Sequence, residues 1–305
     1  MRYSVLAVLN LRGPQPLLDS SRNVKMHGKI WMIVPLALIA ASCALFAQSK
    51  GPYKTPVIGR NVRQIVLRSL AATERSLQAR EHLTFMERDQ DRRLDSSGNL
   101  KSENVEVTRM IVVNGTHFEQ LVERNGKLPS AEEQKKSDKD LEKLLHETRE
   151  EQAARLLKAR ENSSFLWDFF EAFDFQLIGE EIVSGRPAFV LQAKPRPGYQ
   201  PHGKYGKLFS KVEGKLWIDK LDFGCIKADA EVTQAFSVGF LIARVQRGSH
   251  FIVEQTPVDD GVWVPRRLEM RASATALYLK HVDLERIITY SDYRPAADGT
   301  YTVSR

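Results

Sequence analysis

Cysteine is almost absent from this chain of 305 residues, which contains only Cys43 and Cys225. Small exported domains without a large core rely on several disulfides, and this chain has no such framework. If an N-terminal leader that includes Cys43 is removed, Cys225 remains as the one thiol and no internal disulfide can form. A hydrophobic core must therefore stabilise the chain, and roughly 250 remaining residues are enough to build one.

Common catalytic motifs are also absent. The sequence has no Gly-x-Ser-x-Gly, no His-Glu-x-x-His, and no complete phosphate loop around Gly214 and Lys215. The seven histidines are scattered, without the spacing of zinc ligands. We therefore expect a protein that is not an enzyme, with no catalytic residues, cofactor or metal. A hydrolase whose site residues are distant in sequence stays as an alternative.

Positive charge is less abundant than the formal net charge of +7 indicates. The first 48 residues hold five basic side chains and one acidic side chain, so the rest of the chain carries only +3. Such a small net positive charge does not predict a nucleic-acid interface.

The chain has one long apolar run, from Ile30 to Ala47. Lys29 precedes the run and small residues end it, which is the layout of a secretory signal peptide over about residues 26–47. Met26 is then a better start than Met1. The pattern predicts a periplasmic or otherwise exported protein, and an uncleaved membrane anchor is an alternative.

Lipidation is an alternative to simple cleavage at the end of the same apolar run. The residues from Ala40 to Cys43 resemble a bacterial lipobox, in which the cysteine becomes the lipidated first residue. Cys43 is therefore a possible lipidation site, and the alternative location is a lipid anchor on the cell envelope. Membrane contact is expected only through the leader or a lipidated Cys43.

The spacing of apolar residues predicts mostly strands after one helix. An amphipathic helix is predicted over 61–78, and a period of two follows it along most of the chain. The Asn-Gly pairs at 114–115 and 125–126 predict hairpin turns, and separate strands are expected over 276–283 and 286–293. The fold class is α+β and β-rich: one large curled antiparallel sheet of about 11 strands, an incomplete β-barrel closed by helices.

A charged segment over about 130–162 interrupts the strands. Ser130 and Glu133 have the spacing of a capping box, and one narrow leucine stripe predicts a long solvated helix. We interpret the segment as a helical insertion in a half-barrel domain over 55–294. Residues 1–48 form the leader, and residues 295–305 are expected to be a loose tail.

The segment from Phe165 to Phe175 is unusually rich in aromatic side chains. At helical spacing, four of its side chains would share one face: Leu166, Phe169, Phe170 and Phe173. One interpretation is a short helix that caps the end of the sheet and buries these rings in the core. The other is an aromatic plug or rim that touches an apolar ligand or a membrane.

Three short motifs carry a resemblance to a known family. They are Ser-Gly-Arg-Pro followed by an apolar strand at 184–195, Gly-Lys-Leu-Trp-Ile-Asp at 214–219, and Gly-Val-Trp-Val-Pro-Arg-Arg at 261–267. Together with the leader and the first helix, these resemble the LolA/LolB-like outer-membrane lipoprotein-sorting proteins. The resemblance covers about residues 55–294.

The resemblance implies a half-barrel around an apolar cavity that binds acyl chains or lipoproteins and does no covalent chemistry. The candidate ligand-binding residues are Leu166, Phe169, Phe170 and Phe173, with Trp217 and Trp263 as further candidates. The expected partners are an apolar ligand, a lipid or a lipoprotein, and an envelope protein is a further possibility. The alternative is a structural or interaction module of the envelope whose cavity is already filled.

Overall fold

The computed structural model describes residues 58–95, 97–161, 169, 171–200, 206–238, 243–258, 261–276 and 280–296. The predicted leader, Cys43 and nearly all of the predicted tail lie outside these residues. Within the described residues, no helix is both long enough and apolar enough to cross a membrane.

The described residues include four helices with defined bounds. They are α1 (Ile58–Arg80), α2 (Ala131–Leu145), α3 (Arg149–Glu161) and the short α4 (Gly206–Phe209). The predicted first helix is confirmed as α1, since its apolar residues recur every three or four positions. Val62, Ile65 and Leu77 on this stripe are buried.

Most of the remaining chain forms strands. They are β1 (Leu83–Leu94), β2 (Leu100–Val113), β3 (Thr116–Arg124), β4 (Phe173–Val183), β5 (Arg186–Pro195), β6 (Val212–Asp219), β7 (Cys225–Val232), β8 (Phe236–Val238), β9 (Ala243–Val245), β10 (His250–Pro257), β11 (Trp263–Ala276) and β12 (Lys280–Pro295). The predicted Asn-Gly turns are confirmed. Asn114 and Gly115 both have positive φ, as do Asn125 and Gly126, which a type I′ hairpin turn requires.

The twelve described strands form one sheet in the order β3-β2-β1-β12-β11-β10-β7-β6-β5-β4, with β9 beside β11 and β8 beside β9. All of its pairings are antiparallel. The end strands β3 and β4 do not pair with each other in the part of the chain described here. The sheet is therefore a curled half-barrel that stays open, as the sequence predicted.

One strand prediction is wrong. The segment 276–283 is not a strand separate from 286–293, because β12 runs without interruption from Lys280 to Pro295. The chain reverses direction between Ala276 and Lys280, which pair with each other at the ends of β11 and β12. Residues 277–279 lie outside the described residues, and in the sequence they continue an apolar run in which no Gly or Asn-Gly pair marks the reversal.

Helix α1 lies against one face of the sheet, which we call the inner face. Its Val62 and Ile65 pack with Leu191 of β5 and Leu216 of β6 in one core cluster. A second cluster joins Phe85 and Met110 with side chains from β6, β7 and β9 to β12. Strands β2 and β6 are far apart in the sheet order, so the sheet must curl for one cluster to hold residues of both.

The charged insertion contains two helices instead of the one long helix predicted. Helix α2 ends at Leu145 and α3 begins at Arg149. The predicted capping box is confirmed, since Ser130 and Glu133 make both of its hydrogen bonds. The insertion contacts the β2–β3 turn, where Asn114 Nδ2 donates to the Leu144 carbonyl at 2.7 Å and Gln152 Nε2 donates to the Asn114 carbonyl at 3.0 Å.

Candidate functional site

A row of small residues crosses the inner face over three adjacent strands. Ala193 of β5 pairs with Gly214 of β6, and Gly214 pairs with Ala230 of β7. Phe175 and Phe251 continue the row at its two ends. Because paired residues of neighbouring strands point to the same side of a sheet, the row forms a shallow depression between two aromatic rings.

Gly214 fixes the depth of this depression. A Cβ added at Gly214 would lie 2.3 Å from the Asp229 carbonyl oxygen and 2.9 Å from the Ala230 Cα. Both atoms belong to the backbone of β7, so they cannot move aside as a flexible side chain would. Only glycine fits at this point of the row, because the backbone of β7 occupies the space that a Cβ would take.

Four phenylalanines cover one side of the depression. The ring centroids of Phe169 and Phe173 are 4.5 Å apart, and Phe209 lies 5.6 Å from Phe169 and 6.0 Å from Phe173. Phe175 is 6.2 Å from Phe169. These separations are typical of packed aromatic side chains, so the rings form one apolar cluster.

A small cavity of about 30 Å³ remains between this cluster and the strands. Phe169 and Phe173 line it on one side, and Ala193, Gly214 and Ala230 line it on the other. The volume has room for only about two water molecules. The aromatic rings therefore occupy most of the space above the small residues.

The aromatic segment follows the sequence prediction only in part. Phe169 and Phe173 meet in one buried cluster, but Leu166 and Phe170 lie outside the described residues. The predicted helix does not extend through Phe173, because Phe173 is the first residue of β4. The alternation of Phe173, Phe175 and Leu177 has a period of two, which is the signal for a strand that the helical interpretation overlooked.

Trp217 and Trp263 lie in a different cluster from the phenylalanines. They pack with Ala188, Val190 and Ile226. Trp217 lies between Leu216 and Ile218 on β6, so its side chain points to the outer face, and its Nε1 donates to Glu181 Oε2 at 2.7 Å. Trp263 Nε1 donates to Asp222 Oδ1 at 3.0 Å. The structure therefore does not bring the two tryptophans to the small-residue row.

The inner face changes from apolar to charged at β12 and β1. Leu268 of β11 pairs with Ile288 of β12, which pairs with Asp89 of β1. One row further, Met270 pairs with Arg286. The sequence interpretation missed this change, although the alternating acids Glu87, Asp89 and Asp91 in an inward-facing register are its signal.

Glu87 is the most deeply buried acid of this charged region, with 8% of its surface exposed. Burial raises its pKa to about 8, and the nearby carboxylates of Asp89 and Glu119 raise it further than Arg286 lowers it. Among the described residues, no group of three His, Cys, Asp or Glu side chains is arranged to hold a metal ion.

Among known proteins, this chain is similar only to solved structures. No protein-family model matches the chain, and no curated protein matches it. A crystal structure described as an outer membrane lipoprotein-sorting protein domain from Vibrio parahaemolyticus is similar, with a TM-score of 0.33 and 10% identity. The match covers 79% of this chain and 94% of that one.

Two further structures give similar values. A LolA superfamily protein from Nitrosomonas europaea matches with a TM-score of 0.30 and 12% identity, over 76% of this chain and 94% of that one. A DUF1329 family protein from Desulfovibrio piger matches with a TM-score of 0.24 and 11% identity, over 76% of this chain and 95% of that one. LolA-superfamily proteins are thus among the matches, as the sequence motifs indicated. At these scores we draw no functional conclusion from the similarity.

Proposed function

We propose that this chain is an exported, non-enzymatic protein that binds an apolar ligand on the inner face of its half-barrel. The ligand class is an acyl chain, either of a free lipid or of a lipoprotein. The observation that carries the proposal is the row Ala193, Gly214 and Ala230 beneath the rings of Phe169 and Phe173. A depression of small residues beneath aromatic side chains is a suitable site for a thin, flexible chain.

Acyl-chain binding at this row requires the aromatic rings to move. The present cavity of about 30 Å³ is too small for more than a short piece of chain. Each methylene group that leaves water contributes about 0.8 kcal/mol, so six methylenes contribute roughly 5 kcal/mol. Such a sum is large enough to offset the loss of ring-to-ring contacts of about 0.5–1.5 kcal/mol each. Phe169 and Phe173 would then line the bound chain.

The candidate residues differ in whether they contact the cavity. Phe169 and Phe173 contact the cavity directly. Leu166 and Phe170 are neighbours of Phe169 in the sequence and complete the proposed aromatic plug. Trp217 and Trp263 have no contact with the row, and we propose a structural role for them.

A competition between a dansyl-labelled fatty acid and unlabelled fatty acid tests the proposal. Ala193→Leu fills the depression and is expected to abolish binding. Ala188→Leu is the matched control, because Ala188 is equally buried on β5 but packs with the tryptophans on the other side of the sheet. Both variants overpack the core, so only a difference in binding is informative. Equal binding by wild type and both variants would place the ligand elsewhere.

A filled half-barrel that acts as an interaction module of the envelope is the second candidate function. The tight packing of Phe169, Phe173 and Phe209 favours it, because the rings already fill the site. Native mass spectrometry of protein purified from a bacterial periplasm separates the two functions. Lipid adducts support the carrier, whereas empty protein that also takes up no labelled fatty acid supports the filled module.

The proposed location depends on the processing of the leader. Cleavage after Ala47 would release a soluble periplasmic protein, and lipidation of Cys43 would anchor the same domain to the envelope. Labelling of cells with a radioactive fatty acid distinguishes the two. Label that is present in wild type and lost in Cys43→Ala identifies the anchored form.

A further inference from the structure

Strand β4 forms an open edge of the sheet. It pairs with β5 on one side, and on its other side no strand pairs with it in the part of the chain that the structure describes. The strand is 11 residues long, and seven of the nine residues from Asp174 to Ile182 are exposed. The unpaired N–H and C=O groups of such an edge are a template for one further strand.

Two isoleucines of β4 are exposed. Ile178 has 46% of its surface exposed, and Ile182 has 79%. An exposed apolar edge strand promotes aggregation unless charged side chains, proline or another segment protects it. The protection of this edge therefore needs an explanation.

The three acidic side chains of β4 give little of this protection, because each is bound by a donor from another part of the domain. Asp174, Glu180 and Glu181 accept hydrogen bonds from Arg196, Lys220 and Trp217 at 2.9, 2.5 and 2.7 Å, respectively. Their charges are thus directed to neighbours within the domain. The backbone and the isoleucines of β4, rather than its charges, are what an additional strand would contact.

A bulge limits the length of any strand that pairs with this edge. The register of β4 with β5 shifts between Leu177 and Gly179, so Ile178 is an extra residue. The bulge divides β4 into two regular stretches, 173–177 and 179–183. An additional strand therefore needs only about five residues to pair with one stretch.

The opposite edge strand, β3, has a covering segment. Arg124 in the last turn of β3 forms an ion pair with Glu133 near the start of α2. At the other end of β3, Asn114 Nδ2 donates to the Leu144 carbonyl near the end of α2. Helix α2 thus follows β3 along its length, whereas no such segment follows β4 among the described residues.

Helix α1 begins close to the open edge. Its Val62 and Ile65 belong to the core cluster against which Phe175 and Leu177 of β4 pack. Val62 follows Ile58, the first residue of α1, by four positions, which is about 6 Å along the helix axis. The chain therefore enters the domain beside β4.

Residues 49–57 directly precede α1 and lie outside the described residues. Nine residues in an extended conformation reach roughly 30 Å, at about 3.3 Å per residue. A five-residue stretch of β4 is roughly 17 Å long. The segment is thus attached at the right place and is long enough to pair with either stretch of β4.

The prolines of this segment have the spacing of an edge strand. Pro52 and Pro56 are four residues apart, so both nitrogens point to the same side of an extended strand. Proline has no N–H and occurs in sheets on edge strands, where its nitrogen faces away from the neighbouring strand. The alternate residues keep N–H groups that point to the other side and can donate to β4: Gly51, Tyr53, Thr55 and Val57.

The side chains of the segment also suit a strand. Tyr53, Thr55 and Val57 are of residue types that favour strands, and their even spacing places them on one face. Lys50 and Lys54 share the opposite face with the two prolines. The first face is apolar enough to cover an exposed isoleucine of β4.

We propose that residues 50–57 of this chain form an additional edge strand that pairs with β4. Tyr53 and Thr55 donate their backbone N–H groups to carbonyls of β4, and Pro52 and Pro56 face away from the sheet. The free edge of the new strand then has few donors, so the prolines end the sheet. The proposal is independent of ligand binding, although the new strand would lie next to the aromatic cluster that contains Phe173.

Amide hydrogen exchange of the full chain, measured at single residues, tests the proposal. On an open edge strand only every second amide, the one that faces β5, is hydrogen-bonded and protected from exchange. A strand on the other side also protects the amides in between. We therefore expect slow exchange at consecutive amides over 173–177 or over 179–183.

Thr55→Pro and Lys54→Pro form a matched pair of variants. Thr55→Pro removes an N–H that faces β4, whereas Lys54→Pro removes one that faces away. Thr55→Pro should speed exchange at the outward-facing amides of β4 at least about fivefold, the factor expected for one lost hydrogen bond, and Lys54→Pro should change it less than about twofold. Circular dichroism of both variants establishes that the domain is folded.

Three results would overturn the proposal. Fast exchange at every second amide of β4 in wild type would show that the edge is open. Equal effects of the two proline substitutions would show that the donor side of the segment does not matter. Protection that disappears on dilution, together with a doubled mass in light scattering, would show that a second copy of the chain covers β4. Each readout is independent of fatty-acid binding, so neither proposal depends on the outcome of the other.

Discussion

The guanidinium of Arg80, in the last turn of α1, is hydrogen-bonded to the backbone carbonyl of Trp263 at the start of β11. Its Nε donates to this oxygen at 2.7 Å, and NH2 donates to the same oxygen and to Gln255 Oε1 at 3.1 Å. Ser76, one turn earlier, accepts from the Trp263 backbone N–H at 2.9 Å. Both backbone polar groups of a fully buried residue are thus satisfied by α1, which fixes the helix against the sheet.

Arg80→Met is expected to lower the free energy of unfolding by about 2–4 kcal/mol, because the Trp263 carbonyl loses its buried charged donor. Burial lowers the pKa of Arg80 to about 10, so the guanidinium is charged at neutral pH. Urea unfolding measures the change. Arg75→Met on the exposed face of the same helix is the control and should change stability by less than about 0.5 kcal/mol. Equal effects of the two substitutions would contradict the role of the Trp263 contact.

Glu87→Gln should change how stability depends on pH. The pKa of Glu87 is raised from 4.5 to about 8 in the folded chain, so between these values the folded state holds a proton that the unfolded state has released. Stability of wild type therefore falls as pH rises from about 4.5 to about 8, by up to about 1.4 kcal/mol per pH unit.

Denaturant unfolding of wild type and Glu87→Gln at pH 5, 6, 7 and 8 checks this slope. Glutamine cannot ionise, so the variant should lose the Glu87 part of the slope and should gain stability over wild type as pH rises. Glu132→Gln, which changes an exposed acid in α2, should keep the wild-type slope. A variant curve that stays parallel to wild type would show that Glu87 is not buried as described.

Gly214→Ala should be destabilising by at least about 1–3 kcal/mol, because the new Cβ would overlap the backbone of β7. Gly179→Ala in β4 is a matched control, since a Cβ there has no atom within 4 Å. We expect the control to lie within about 0.5 kcal/mol of wild type or to be slightly more stable. Thermal unfolding followed by circular dichroism compares the two. If Gly214→Ala were as stable as the control, the close approach of the β7 backbone to Gly214 would be contradicted.

Asp219→Asn should destabilise the β6–β7 turn by about 2–4 kcal/mol at neutral pH. Asp219 is fully buried, accepts from Arg186 Nε at 2.6 Å, and accepts from the backbone N–H groups of Leu221 and Asp222 at 2.8 and 3.0 Å. Burial alone would raise the pKa of Asp219, but these bonds outweigh it and hold the pKa below 3.8.

The sign of the pH effect follows from this lowered pKa. The stabilisation by Asp219 is complete above pH 3.8 and is lost as pH falls through the lower pKa of the folded state. The difference between wild type and Asp219→Asn should therefore shrink in acid unfolding. Asp174→Asn removes the exposed partner of Arg196 and is the control, with an expected change below about 1 kcal/mol.

Local sequence signals predicted most of the elements. The period of α1, the capping box at Ser130 and the Asn-Gly turns are short-range features, since each depends on residues only a few positions apart. The helix prediction for the aromatic segment was wrong at Phe173, because helical and strand spacing both fit a run in which most residues are apolar. The period of two in Phe173, Phe175 and Leu177 favours a strand, and the pairing of Phe173 with Pro195 across the sheet decides for it.

The inner face could not be predicted from local patterns. Gly214 and Ala230 are small residues of ordinary strands until the register places them beside each other, and Glu87 and Tyr290 are separated by some two hundred positions in the chain. Their burial arises from the curl of the sheet, which depends on all strands together. The cavity beside Phe169 likewise exists only because β4 to β7 and α4 meet there.

The sequence by itself determined the class of this protein: a β-rich chain with an apolar leader pattern, almost no cysteine and no common catalytic motif. These properties are set by composition and by spacing within a few residues, so they can be read along the chain. The tertiary structure decided which side chains share the inner face, since register and sheet curl act between residues that are far apart in sequence. It alone placed the small-residue row beneath the phenylalanines and Glu87 opposite Tyr290.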